Sequence, residues 1–155
     1  MNSWRRFRSL SAADRVIVME AGALMTFICV AMPVAPFLFV RRVLRTYATA
    51  LHRDRRAGDV DSSRIAWAIT AAARHLPLRT TCLIESLAAE AMLLRRGVPC
   101  VLRLGVRSPN SARALDAHAW VECEGDVIAG AVDGLADYAI LAGVERGVRT
   151  SATKR

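Results

Sequence analysis

Hydrophobic and polar positions fall into distinct patterns along this chain. From Ala21 to Val40, twenty consecutive residues carry no charge. Ser11 and Asp14 stand ahead of them as candidate caps for a helix that begins near Ala12 or Arg15. The uncharged stretch is long enough for a membrane-spanning helix, but Pro33 and Pro36 break a single helix near its middle. A pair of helices bent at Met32–Pro36 and buried against the rest of the chain accounts for the same pattern, and contact of residues 21–40 with a bilayer stays open beside it. Residues 41–57 continue helically, with Val43, Leu44, Tyr47 and Leu51 at helical spacing among arginines. Gly58 to Ser63 reads as a linker that ends in a helix cap. Ile65, Ile69, Ala72 and Leu76 then form one apolar helix face, which Pro77 stops. A further helix runs from about Thr81 to Arg96. Its apolar stripe is Ile84, Leu87, Ala91 and Leu94, its cap Thr80 or Thr81, and its end Gly97 followed by Pro99.

From Val98 the period shortens to two. Val98, Cys100, Leu102, Leu104 and Val106 alternate with Val101, Arg103 and Gly105, which predicts a strand to Arg107. Ser108–Leu115 is a polar loop. A second strand spans about Ala117 to Glu124, a third Val127 to about Val132, and Leu135 to Val144 is a mixed apolar closing segment. Helices followed by an antiparallel sheet make an α+β fold with an apolar helical N-terminal half. The expected division is a helical region over 1–60 packing on the core, a core over 61–145 and a flexible basic tail over 146–155.

Composition narrows the function classes. Net charge is +8, and arginines cluster on both sides of the uncharged stretch. Such charge attracts nucleic acid, anionic lipid or an acidic peptide. No basic motif interleaved with aromatics is present, which argues against nucleic acid. Cys29, Cys82, Cys100 and Cys123 form no CxxC pair and no zinc-type spacing. Cys29, Cys100 and Cys123 fall in apolar or strand-like segments as small buried residues. A reducing cytoplasm suits this set, and no cofactor-binding motif is recognisable.

Cys82 is different. It falls in the first turn of its helix, where unpaired N–H groups and the helix dipole favour thiolate over thiol. Downstream, His118 on a strand offers an imidazole that can take the thiol proton and later return it to a leaving amine. His52, in an arginine-rich helix, and His75, in a last helical turn, have weaker claims. Trp120 either shields this region from water or packs in the core. If Gly125-Asp126 form a two-residue hairpin loop, Asp133 lies across the ladder from His118 and holds its tautomer. A loop one residue earlier puts Ala131 there instead, Gly130 weakens pairing that far, and Asp116 or Asp126 replaces Asp133 if the register slips.

These residues together resemble a known group. The run Cys82-Leu83-Ile84-Glu85-Ser86-Leu87-Ala88-Ala89-Glu90, then Arg95-Arg96-Gly97-Val98-Pro99, Leu104-Gly105-Val106-Arg107, Ala117-His118-Ala119-Trp120-Val121-Glu122 and Gly125 are similar to the lasso-peptide leader peptidases. These are transglutaminase-like (papain-like) cysteine proteases that remove the leader from a ribosomally made precursor, and the likeness covers about residues 62–142. It implies Cys82 as nucleophile and His118 as base. The family's third member is an acidic residue about a dozen positions after the histidine. This chain has Gly130 there, with Asp133 the nearest acidic substitute, and a backbone carbonyl is another way to orient the imidazole. The resemblance further implies a precursor leader peptide as substrate, a separate leader-recognition domain protein, and an asparagine-synthetase-like macrocyclase that uses ATP. The same site with an amine as acceptor would be an acyltransferase. A chain whose Cys82 is merely structural would be a membrane-associated scaffold.

Overall fold

A computed structural model describes residues 9–51, 61–108 and 115–141. Among the described residues, four α-helices come first: α1 over Ala12–Ala31, α2 over Phe37–Ala50, α3 over Ser62–Ala73 and α4 over Cys82–Arg95. A sheet follows, with β1 over Val101–Arg107, β2 over Asp116–Cys123, β3 over Asp126–Ala129 and β4 over Ala139–Ile140, in the order β3-β2-β1-β4 with antiparallel pairings. This is the α+β order expected from the switch of period. His52, the first half of the 58–63 linker, most of the polar loop after Ser108 and the tail over 146–155 lie outside the described residues.

Helix boundaries follow local chemistry. The Ser11 hydroxyl accepts from the Asp14 amide at 3.0 Å and starts α1. Pro33 and Pro36 separate α1 from α2, as the bent pair predicted. Asp61 caps α3 by accepting from the Ser63 amide at 2.9 Å. Thr81 caps α4, its hydroxyl accepting from Ile84 N at 3.4 Å. Gly97, at φ +76°, closes α4 with the paired bonds Val98 N to Leu93 O and Gly97 N to Leu94 O. Among the described residues, no helix is long and apolar enough to cross a membrane.

Packing departs from the sequence pattern in two helices. In α4 every residue from Ser86 to Leu93 is buried, not one stripe, because α1, α2 and α3 pack on it from one side and the sheet from the other. Ala88, Ala89 and Ala91 let those neighbours approach closely. Two polar groups are buried with it. The Ser86 hydroxyl donates to Ala119 O at 3.0 Å. Glu90 receives a two-pronged ion pair from Arg41, at 2.7 and 3.1 Å, so this arginine is turned inward and is no part of a solvated face. In α2 the buried face is Val40, Arg41, Leu44 and Ala48, while Val43 and Leu51 are exposed. Glu20, the carboxylate bordering the uncharged stretch, clasps Arg95 at 2.6 Å and Arg96 at 2.7 Å just as α4 ends. Ser86→Ala should lower stability by about 1 kcal/mol, since it leaves the buried Ala119 carbonyl without that donor. Urea unfolding would show it as a shifted midpoint with an unchanged slope.

The β2–β3 hairpin corrects the expected register. Cys123 pairs with Asp126 and Glu122 with Val127, so the loop is Glu124-Gly125, not Gly125-Asp126. Both loop residues have positive φ, +53° at Glu124 and +97° at Gly125, which a right-twisting two-residue hairpin requires. A register shift between Val121 and Glu122 then pairs Val121 with Ala129, and the ladder stops there. The third strand is therefore shorter than expected, and the cross-strand position assigned to Asp133 does not form. Glu124→Asn, better suited to left-handed backbone, should stabilise the protein by about 0.5–1 kcal/mol. A higher midpoint in thermal melts would show it.

Candidate active site

Alternation along β2 gives each strand face its own role. Ala119, Val121 and Cys123 are buried, and Val121 and Cys123 join the core shared with the helices. Asp116, His118, Trp120 and Glu122 share the other face. Their contacts confirm it: the His118 and Trp120 rings stack with centroids 6.2 Å apart and planes 14° apart, and Trp120 Nε1 donates to Glu122 Oε1 at 2.7 Å. Trp120 is 2% exposed, so of the two expected roles it takes core packing, roofing His118 on one side as it does so.

Cys82 occupies the first helical position of α4, directly after its Thr81 cap, and is half-buried. Its amide and that of Leu83 have no intrahelical carbonyl to bond. Four residues further on, one turn or about 6 Å along the axis, Ser86 bonds the carbonyl of Ala119, the residue next to His118. Helix and strand are thus tied together one turn from the thiol. Tyr138 provides a second link. Its ring lies 5.6 Å from the imidazole. Its phenol is held above the ordinary range first by its bond to Asp116 and then by loss of solvent around it.

The partner of His118 is a backbone group. Nε2 lies 2.7 Å from Gly130 O. A carbonyl can only accept, so Nε2 carries the proton and Nδ1 presents its lone pair elsewhere. Gly130 reaches this place through φ +80° and by lying flat on β2, where an added Cβ would sit 2.5 Å from Ala119 O and 2.9 Å from Trp120 Cα. Asp133 is exposed, and no hydrogen bond joins it to His118. The position where the resemblance asks for a carboxylate thus meets the imidazole through its main chain.

An ion-pair network flanks the histidine. The Asp116 carboxylate accepts from Tyr138 OH at 2.6 Å and from Arg107 Nη2 at 2.8 Å, and Arg107 lies over the Tyr138 ring at 4.6 Å. The Tyr138 bond, then the Arg107 bond, hold the Asp116 carboxyl below its usual range. This ties the segment before β4 to the ends of β1 and β2. A shallow pocket of ≈ 230 Å³ opens beside it, lined by Trp120, Glu122, Leu135, Ala136, Tyr138 and Ile140. Asp126 lies away at the exposed hairpin, and His75 is exposed after α3.

The other cysteines are free thiols, Cys29 half-buried and Cys100 and Cys123 buried. Cys100, just before β1, lies beside Cys123 at the end of β2. Their mutual hydrogen bond raises the Cys100 thiol, aided by burial, and lowers that of Cys123. Among the described residues, no group of three or more His, Cys, Asp or Glu side chains could hold a metal.

Sequence reasoning allowed a backbone carbonyl to orient His118 without identifying Gly130 O, and it missed Tyr138 and Ser86 as parts of this site. Ser86 had a usable signal, a hydroxyl one turn from Cys82 on the same helix face. The family model described as the transglutaminase-like superfamily matches residues 27–143. No curated protein and no solved structure matches the chain.

Proposed function

The chain belongs to the transglutaminase-like superfamily, whose members are typically cysteine-dependent enzymes, and from that premise we propose that it is a cysteine peptidase that removes the leader from a ribosomally synthesised lasso-peptide precursor. One observation carries the reading furthest. The helix that starts at Cys82 is bonded through Ser86 to the carbonyl beside His118, and His118 is held in one tautomer by Gly130 O. The finer substrate assignment rests on the likeness of the Cys82 helix, the Arg95–Pro99 run and the Ala117–Glu122 run to leader peptidases.

In this mechanism Nδ1 of His118 takes the Cys82 proton. The thiolate attacks the carbonyl of the leader's last residue, and the Cys82 and Leu83 amides stabilise the oxyanion. The imidazolium protonates the departing amine, leaving a thioester, and then activates water to hydrolyse it. Gly130 O orients the ring without a formal negative charge, so the third group acts by position and by fixing the tautomer. Asp133 takes no part in this scheme. A separate recognition-domain protein delivers the leader, and a macrocyclase consuming ATP closes the released core. No step here calls for a metal or an organic cofactor.

The test is the intact mass of the precursor after incubation with this protein and the recognition partner. Free leader and free core support the reading, and an uncut precursor with folded wild type sinks it. The superfamily also holds acyltransferases, and an amide adduct in place of free leader would assign that chemistry instead.

A further inference from the structure

The α1–α2 hairpin ends in an apolar tip that is exposed among the described residues. Phe27, Val30, Val34, Leu38 and Phe39 project from it, with Val34 82% and Leu38 70% exposed. Scattered exposed apolar residues are ordinary, but a cluster at one end of a charge-free stretch calls for a covering. We propose that this tip inserts shallowly into an anionic lipid surface.

Three features favour lipid as the occupant. The first is polar satisfaction. Within the turn, the amides of Met32, Val34 and Ala35 bond to Ile28 or Ala31 carbonyls, and Pro33 and Pro36 have no amide. The one hydroxyl in the charge-free stretch, Thr26, donates to Gly22 O at 2.8 Å. The amides within the turn thus need no water, while those of Phe37 and Leu38, at the start of α2 where no side chain caps the helix, are left for water or headgroup oxygens.

The second is the placing of the first cations. Arg41 is turned inward on Glu90, while Arg42 is exposed one turn behind Leu38, about 6 Å back along the helix. A tip buried by about 5–10 Å would carry Arg42 to the headgroup layer.

The third is charge. Residues 1–60 hold ten arginines against four carboxylates, so six of the eight net positive charges lie in the part of the chain that carries the tip. Two of those carboxylates, Asp14 and Glu20, are tied to Arg64 and to Arg95 and Arg96. Along the sequence, the part of the chain that carries the tip thus holds most of the net positive charge, which suits an anionic bilayer.

Flotation with vesicles tests this independently of the peptidase reading. The full chain should float with phosphatidylglycerol-containing vesicles, far less with phosphatidylcholine alone, and less as salt rises. Val34→Ser with Leu38→Ser should weaken partitioning by about tenfold or more, since both side chains would otherwise leave water. Arg42→Glu should weaken it on anionic vesicles only. Both positions are exposed, so circular dichroism should be unchanged. Cys82→Ala should float like wild type. The proposal is overturned if wild type stays in the soluble fraction, if both lipids bind it equally, or if the double substitution binds as wild type does. It is also overturned if light scattering shows a dimer that this substitution splits, because the tip would then be covered by a second copy of the chain.

Discussion

Cys82→Ala should lower the rate of leader cleavage by on the order of 10⁴- to 10⁶-fold, the scale of losing a catalytic nucleophile. Stability should barely change. Cys82 is half-buried at a helix start, its sulfur is not needed to cap α4, and the cap belongs to Thr81. Alanine is a good helix former, so the shift should stay within about 1 kcal/mol. The contrast between lost activity and retained stability distinguishes a nucleophile from a structural thiol. Cys100→Ala should show the opposite balance. That thiol is buried between the Glu90 carbonyl and Cys123, so its loss would cost stability without removing a reacting atom.

Gly130→Ala has the second largest expected effect, and it acts on stability and activity together. Left-handed backbone costs a residue with a Cβ about 1–2 kcal/mol. The new methyl would sit 2.5 Å from Ala119 O, and neither backbone segment can yield without moving β2. Overpacking of this kind adds about 1–3 kcal/mol. Chemical denaturation should therefore show a loss of about 2–5 kcal/mol. In the fraction that stays folded, Gly130 O moves away from Nε2, His118 loses its fixed tautomer, and kcat should drop by about 10²-fold or more. Gly125→Ala is the control. It too has positive φ, at +97°, but an added Cβ there meets nothing within 4 Å. It should cost about 1–2 kcal/mol and leave kcat alone. Equal kcat in folded Gly130→Ala and wild type would remove the carbonyl from the mechanism.

What could be read from the sequence was the part written locally. Ser11 and Thr81 as caps, the two prolines between α1 and α2, and Gly97 at the end of α4 all act within a few residues of themselves, and each marked its boundary, whereas the linker expected to run to Ser63 gives way to helix already after the Asp61 cap. The change to period two announced the sheet and with it the α+β class. Long-range facts left no such trace. Arg41 and Glu90 are 49 residues apart, and nothing near either one indicates that both are buried. The all-round burial of α4 depends on its being sandwiched, which one helix's own pattern does not encode.

The hairpin shows how one local choice spreads. Glycine followed by aspartate is an ordinary loop pair, whereas the actual loop puts Glu124, a residue with a Cβ, at positive φ. That one-residue displacement, followed by the shift between Val121 and Glu122 and the end of β3 at Ala129, removes Asp133 from the face of His118. The group that does meet the imidazole is a carbonyl, which every residue possesses. A search for a carboxylate side chain passes over it, and the glycine at that position is its one visible sign.

The central claim is that Cys82 is a nucleophile activated by His118, and alkylation tests it without any substrate. Wild type and His118→Ala would be treated with limiting iodoacetamide across neutral pH, and all four cysteines mapped by peptide mass. The account predicts that Cys82 reacts first and faster than an ordinary exposed thiol near neutral pH, and that His118→Ala slows this reaction while the other thiols keep their rates. Alkylation of Cys82 no faster than a free thiol, or at the same rate in both proteins, would contradict it.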